Sequence, residues 1–429
     1  MGTAITLEVG GMTLDYSKNH RGNDHGPLFQ DSDRQRFHSY EVVRRAGADD
    51  EDNEQSKPVG FRRTLGDTVP RLKLLGYSIE SAAEEYAAVC EAVLEDREFF
   101  EQEGLQTTLD IMSFIEFRAF VTTHALADLS DEFVSLDPVK MRGRFTDDSQ
   151  NQRLPHSSMD ETVGYSELSH FGNLIGVLHP YHLLVLLAEN ASNNHLFVDW
   201  QYGPLVESGW AKEEVFVADA KRGETFLVAT EGSSDAYVLR HAFKLLASGI
   251  EDFFRFIDVS ERHPFPGTGN LLKFAEGLVK IDVQNQIIFL FDNDAEGAET
   301  HQRVVALNLP GNMRSLVLPE TDEFKSFPTR GPDGVALSDI NRKAASIECY
   351  LDLVRPKLPA PQIVWTNYRK ETDTYQGALE QKEAYTKAFL HQTSATVEDR
   401  SYDFSKIALV LTSLTHECSG IAQSQRTIG

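Results

Sequence analysis

Between residues 225 and 318 the apolar positions gather into short unbroken runs separated by longer stretches of helical period. The runs lie at 226–230, 253–258, 287–291 and 315–318, rich in Phe, Ile, Leu and Val. Those at 226–230 and 287–291 have the length and composition of strands buried on both faces, and those at 253–258 and 315–318 read as further strands. Between them, residues 235–246, 270–280 and 295–307 carry apolar side chains at helical spacing. Strand and helix in alternation predict a parallel sheet with helices packed on its faces. The rhythm then changes. A Gly- and Pro-bearing loop is expected from Pro319 to Gly334, a helix over 344–353, a proline-marked linker over 356–361, and helices over 376–391 and 404–418.

The first half has a different pattern. Ile-Thr-Leu-Glu-Val and Met-Thr-Leu-Asp-Tyr alternate at period two around Gly10-Gly11, which predicts a hairpin. A turn-rich loop follows over 19–29. Asp49-Asp50-Glu51-Asp52 and Glu54 make a solvated like-charge run. Helices are expected from Ser81, whose Ser-x-x-Glu pattern is a capping box, over 109–129, and over 166–190 with a break near Pro180. Residues 196–200 form a strand-like island. No period of 20–50 residues recurs, which excludes a solenoid.

Two of the strand runs end in carboxylates. The run at 226–230 leads into Glu231-Gly232-Ser233-Ser234-Asp235, and the run at 287–291 into Asp292-Asn293-Asp294-Ala295-Glu296-Gly297. Ligands of open α/β sheets collect at the carboxyl ends of strands. Carboxylates crowded there repel one another unless a cation sits among them, so the pattern points to Mg²⁺ or Mn²⁺ and to phosphodiester chemistry. Asp292 and Asp294, two apart, face one side of a strand. Gly232 would permit a tight strand-to-helix turn. Plainer roles stand beside these. Glu231 and Asp235 could be a capping pair, Asp294 a helix cap, and Glu296 a solvated first-turn acid.

Glu-Gly-x-x-Asp followed by a strand ending in Asp-x-Asp-x-Glu-Gly resembles the Toprim domain of topoisomerases, bacterial primases and overcoming-lysogenization-defect nucleases. The resemblance implies a Rossmann-like α/β unit with a mainly parallel four-stranded sheet. It spans residues 222–355, preceded by an α+β accessory domain at 1–221 and followed by a helical extension at 356–429. It also implies a two-ion centre, with Glu231, Asp235, Asp292, Asp294 and Glu296 as ligands. Glu348 matches a late glutamate of the nuclease branch. Lys382, more than Lys387, matches a late lysine that would stabilise charge on a scissile phosphate. Glu231, Asp292, Asp294 and Lys382 are then the expected catalytic residues of a metal-dependent nuclease. The opening Gly22-x-Asp24-His25-x-x-Leu28-Phe29-Gln30 resembles a domain found ahead of HEPN or Toprim domains in bacterial proteins, a family associated with anti-phage defence.

Composition changes this picture in three ways. A formal charge of −25 opposes free binding of nucleic acid, so a partner, an oligomer or a local basic groove is expected to deliver substrate. Cys90, Cys349 and Cys418 are scattered, without zinc or disulfide spacing, which fits a reducing cytosol and excludes a primase-type zinc module. No Gly-x-x-x-x-Gly-Lys-[Ser/Thr] occurs, so a separate ATPase or sensor is the expected partner. No run is long enough for a membrane span, and the cytoplasm is the expected compartment. Two other classes of function stay open: a non-catalytic sensor subunit with a Toprim-like core, and a metal-independent HEPN-like ribonuclease. The second would use Arg118 and His124 of Phe-Arg-Ala-Phe-Val-Thr-Thr-His. His20, Asp24 and His25 are expected in a turn, His179 and His182 in a kinked core helix, and Gly267-Thr268-Gly269 in a turn or phosphate cradle.

Overall fold

The computed structural model describes residues 4–38, 57–102, 110–134, 137–146, 148–155, 165–256, 268–332, 334–356, 358–369 and 374–428. They fall into two compact units, Met1–Ala220 and Lys221–Gly429. The acidic run at 49–54, Leu109, the end of the predicted 253–258 strand and Gly267 lie outside the described residues.

In the first unit, β1 (Ala4–Val9) and β2 (Met12–Lys18) form the expected hairpin. Gly10 and Gly11 have φ of 54° and 86°, the positive values that a two-residue turn of the primed type demands at both positions. With β3 (Arg34–Arg36), β4 (Val59–Thr64) and β5 (Phe197–Gln201) the hairpin makes an antiparallel sheet of order β2-β1-β5-β4-β3. The island at 196–200 is therefore a central strand, set between β1 and β4 by long-range pairing. Phe61 and Trp200 on its inner face are fully buried.

The helices of this unit pack on that core, with boundaries set by caps. α1 is Leu65–Leu74 and α2 is Ile79–Gln102. α2 starts ahead of the predicted Ser81, because Ser78 Oγ accepts from the Ser81 N–H at 3.2 Å. The helix expected over 109–129 is only α3, Phe114–Thr123, which begins at a capping box of Ser113 and Glu116. The helix expected over 166–190 is two helices, α4 (Glu167–Ile175) and α5 (Pro180–Ala188). Pro180 sits at the first turn of α5, where its missing N–H costs nothing. Among the described residues no single helix is long and apolar enough to cross a membrane. Only the bent pair α4 and α5 qualifies by composition, and both helices are largely buried in the core of the unit.

In the second unit the alternating rhythm is realised. β6 (Phe226–Thr230), α6 (Ser233–Leu246), β7 (Phe254–Phe256), α7 (Thr268–Lys280) and β8 (Gln286–Phe291) follow one another. Next come a two-residue strand β9 (Asn293–Asp294), α8 (Ala295–Val305) and β10 (Met313–Val317). The main sheet has the order β10-β8-β6-β7 and every pairing in it is parallel. Ile287, Phe289 and Phe291 of β8 are buried among Leu271, Val304 and Met313.

Beyond residue 318 the sequence reading needs correction. The expected loop holds a hairpin, β11 (Phe327–Gly331) and β12 (Gly334–Ser338). The helix expected over 344–353 is β13 (Ala344–Ala345), paired antiparallel with β9, then one 3-10 turn at Ile347–Tyr350. That cross-strand pairing takes the backbone groups a helix would have used. The region read as all-helical contains β14 (Ile363–Arg369) and β15 (Thr374–Leu379), which join the first hairpin in a sheet of order β12-β11-β14-β15. Only then come α9 (Lys382–Leu390) and α10 (Ser405–Ile428). α10 packs on α6, β8 and β10 rather than standing apart.

A buried ion pair joins β4 to β5 in the first unit. Arg62 on β4 donates from Nε and Nη2 to the two oxygens of the fully buried Asp199 on β5, each at 2.7 Å. Removing one partner of a buried pair strands a desolvated charge. Arg62→Ala is expected to lower the stability of this unit by about 3–5 kcal/mol in chemical denaturation, and Asp199→Asn by less. Equal effects from the two changes would show that the charge on Asp199 is not the source of the loss.

Candidate active site

The chain runs from β6 outward to β7, then returns so that β8 lies on the other side of β6. The sheet reverses direction between β6 and β8, and at such a point the loops diverge and leave a crevice at the strand ends. Glu231 follows β6 and Asp292 follows β8, so both acidic motifs open into that crevice.

Backbone N–H groups fix the carboxylates. Glu231 Oε1 accepts from the Asp292 N–H at 3.1 Å, which ties the two motifs together. Asp235, buried in the first turn of α6, accepts from the Gly232 N–H at 3.0 Å. Asp292 accepts from the Ile347 N–H at 3.1 Å. Asp294 caps α8, accepting from the Gly297 N–H at 2.7 Å, while the Gln376 side-chain amide donates to its second oxygen. Glu348 is only 2% exposed, accepts from Ser346 Oγ at 2.7 Å and lies 3.9 Å from Lys382 Nζ. Glu296 accepts from the Thr268 hydroxyl. Lys387, farther along α9, is exposed, and none of the site contacts above involves it.

The constrained glycine of the site is not Gly232, to which the sequence reading gave a tight turn. Gly232 has φ −131° and ψ 161°, extended backbone that any residue adopts, and a Cβ there would meet nothing closer than 3.5 Å. Gly297 is the constrained one. A Cβ on it would fall 2.3 Å from the Asp292 carbonyl oxygen and 3.0 Å from Glu231 Oε1. The start of α8 can approach the ends of β6 and β8 only without a side chain at this position.

The electrostatics of the cluster are unfavourable by themselves. Burial, then the charge of Asp294, raises the Glu231 carboxyl far above the usual range. Burial, then Glu348, raises Asp235. Burial, then Asp235 and Glu231, raises Asp292. Asp294 is raised by burial against the pull of its two donors. Cysteine and tyrosine beside the site, Cys349 and Tyr350, are also raised, chiefly by burial.

Among the described residues, no three His, Cys, Asp or Glu side chains are preset around one point as an ion cage. Each of Glu231, Asp235, Asp292 and Asp294 instead spends an oxygen on a neighbouring N–H. The donor chemistry still suits a hard divalent cation, which keeps several waters and takes one or two carboxylates plus substrate phosphate. Gln376 Oε1, buried without a partner beside Asp294, is a further hard oxygen. Sequence reading missed Gln376 because residues 376–391 were taken as helix. The β-branched and aromatic run Ile363-Val364-Trp365-Thr366 was the strand signal that would have found it.

The polar candidates of the first unit are held in structural roles. Arg118 donates Nε to Glu189 at 2.7 Å. His124 is half-buried against Phe145 and Phe171, and burial lowers its pKa. Arg118 lies within α3, whereas His124 is the residue just past its end, in extended backbone. His20 and Asp24 accept from the backbone N–H groups of Gly22 and Gly26 within the expected turn. His25 is buried between Asp15, at 2.9 Å, and the Tyr181 hydroxyl, at 3.1 Å. His179 caps α5. His182 bridges Glu85 and Ser81 Oγ, a serine–histidine–acid order. Ser81 is nevertheless buried and its hydroxyl also contacts the carbonyls of Gly76 and Ser78, so it secures the start of α2.

The second unit is thus a mixed α/β protein with an acidic crevice at the reversal of a parallel sheet. The first unit carries the family signature. Residues 1–224, just over half of the 429, match the model of HEPN/Toprim N-terminal domain 1, and the chain belongs to that family. No curated protein and no solved structure gives a significant match.

Raised carboxyl pKa values mean that the folded protein keeps protons that the unfolded chain has released above about pH 4. The stability contributed by these protonated groups is complete below that range and is lost as pH climbs through the raised values. Without added metal and with chelator present, Asp292→Asn is expected to raise stability at pH 8 by on the order of 1 kcal/mol and to change it little at pH 4. Denaturant midpoints at the two pH values measure this. A mutant less stable at pH 8 than the wild type would mean that the repulsion is already relieved.

Proposed function

We propose that this chain is a divalent-metal-dependent nuclease built on a Toprim-type core. Residues 222–355 would carry the chemistry, residues 356–429 complete its edge, and residues 1–221 recognise a partner or a copy of the chain. The observation that carries this reading is the gathering of Glu231, Asp235, Asp292, Asp294 and Glu348 at one sheet reversal, although burial and mutual repulsion both oppose their charge. Folded proteins seldom tolerate that cost without function. The family name, which joins this N-terminal domain to HEPN and Toprim modules, supports a nuclease-associated role.

In this reading those five carboxylates hold two Mg²⁺ or Mn²⁺ ions, with Glu296 at the margin. Bound there, the ions supply water activation and neutralise charge on the phosphoryl oxygens. Gln376 and Gly297 orient Asp294, and Asp292 fixes Glu231 through its N–H. Lys382, half-exposed beside Glu348, presents its ammonium to a phosphate. Glu231 would serve as an ion ligand or as the general acid/base of the reaction. Nucleic acid is the proposed substrate, and a separate ATPase or sensor, or a homo-oligomer, the proposed partner. The setting would be cytoplasmic antiviral defence.

A sensor subunit that never cuts is the second reading, favoured by the lack of a preset three-ligand cage among the described residues. The HEPN-type reading loses its arginine to Glu189. Full-length protein assayed on plasmid, single-stranded DNA and tRNA, with Mg²⁺, Mn²⁺ or chelator, separates the readings. Cleavage is expected only with metal. Asp292→Ala, Asp294→Ala and Glu231→Ala should each lose more than the 10–100-fold that supporting residues of a metal site typically cost, and Glu296→Ala less. Wild-type cleavage by a folded Asp292→Ala protein would remove the acidic crevice as the source of activity.

Metal binding itself is expected to depend on pH. The cluster must shed protons to accept a cation, so Mn²⁺ should raise the melting temperature more at pH 8 than at pH 5.5, with proton release in calorimetry. A shift of the same size at both values would place the ion elsewhere.

A further inference from the structure

Beside the acidic crevice, the sheet β12-β11-β14-β15 carries an open cleft of about 430 Å³. That volume lies within the range of small-ligand sites, about 300–1,000 Å³. Trp365 and Tyr375 form its aromatic wall, with ring centroids 6.1 Å apart and planes at 49°. Tyr368 lies against Tyr375 at 5.1 Å, and both tyrosines are 49% exposed. Gly331 lies under the indole, where a Cβ would come within 3.1 Å of Trp365 Cδ1. Among the described residues, Lys343 and Asp339 are the charged ones of the lining.

The cleft is joined to the acidic centre through the backbone. Lys343 bridges to Asp294, and Ala344 is the register partner of Asp294. Gln376, whose amide holds Asp294, directly follows Tyr375. Tyr375 and Gln376 send their side chains to opposite faces of β15, so the link that a bound strand could follow from the carboxylates to the aromatic wall is Lys343, which lines the cleft and is bridged to Asp294.

Charge limits how such an occupant can be held. Affinity for nucleic acid ordinarily comes from cations on the phosphate backbone. A chain of net charge −25 is poorly supplied with that term. Bases stack on exposed aromatic rings without sequence preference, a contribution that does not depend on net charge. Stacked bases of a duplex offer no free face, so the wall suits an unpaired base.

We propose that this cleft is a base-binding subsite for single-stranded nucleic acid, with Trp365 and Tyr375 stacking on an unpaired base and Lys343 meeting the adjoining phosphate. The proposal rests on the nuclease reading of the acidic centre and names its substrate as an unpaired strand.

The test measures binding apart from cutting. Full-length protein is titrated in Ca²⁺ against fluorescein-labelled dT12, U12, a dT12 with abasic positions, and a 12-base-pair duplex, with anisotropy as the readout. dT12 and U12 distinguish DNA from RNA. Preference for the unpaired strands over the duplex and the abasic strand is expected. Trp365→Leu and the exposed Tyr375→Ala should each weaken dT12 or U12 binding by on the order of tenfold or more, with unchanged melting temperature. Tyr375→Ala guards against misfolding of the tryptophan variant. Lys343→Gln should weaken binding and flatten its salt dependence. Wild-type affinity in both aromatic variants, or tighter binding of duplex, overturns the subsite. The outcomes for the two readings separate cleanly. Metal-dependent cleavage with unaltered binding in the aromatic variants leaves the nuclease and removes the subsite. Aromatic-dependent binding without cleavage in Mg²⁺ or Mn²⁺ leaves the subsite and removes the nuclease.

Discussion

Like charge held at close quarters is the constraint around which the second unit is organised. Adjacent parallel strands β6 and β8 end together, and each delivers a carboxylate to the same crevice. Desolvation and repulsion oppose this arrangement, and the surrounding backbone offsets them. The N–H groups of Gly232, Asp292, Gly297 and Ile347 each meet one carboxylate oxygen. The absence of a side chain at Gly297 lets the helix start come close enough for its N–H to reach. Four donors from separate segments do not make an ionised cluster comfortable. They orient it, and orientation is what a centre for hard cations needs from its protein.

The first unit solves its polar groups differently. Its buried histidines are closed into bonded chains, Asp15–His25–Tyr181 and Glu85–His182–Ser81, that link the hairpin and the helices to one another. Asp15 is lowered to about 2, chiefly by the hydrogen bond from His25, the reverse of the behaviour of the acids in the second unit. Asp15 is lowered by its histidine partner, whereas the crowded acids of the second unit are raised by burial and by one another. The contrast between the two halves follows from neighbours, since the residue types are the same.

How much of this was legible in the sequence follows from the same physics. Runs 226–230 and 287–291 could be read because a strand covered on both faces must be apolar at every position. Their acidic ends could be read because carboxylates rarely follow such runs in pairs. The segment Ala344-Ala345-Ser346-Ile347-Glu348 could not be read. Its composition favours a helix, and only its pairing with β9 and the demand of Asp292 for the Ile347 N–H decide otherwise. Residues 376–391 misled in a similar way, since Gln376 and Gly377 belong to a strand fixed by partners at Asn367 and Trp365 on β14. Gly232 looked essential from its motif, yet the close approach is made at Gly297, which only three-dimensional distances reveal. The cap at Asp294 was legible because its donor is three residues away.

The two oxygens of Asp294 therefore have different histories. One is satisfied by Gly297 within the same turn of chain, and the other by Gln376, 82 residues later. Local bonds form early, and distant ones wait for the intervening chain to close. A nascent polypeptide that has already made both acidic motifs still carries an unfinished centre until the last hairpin has emerged and docked. Order of synthesis thus leaves one oxygen of Asp294 without its donor until the last hairpin is made.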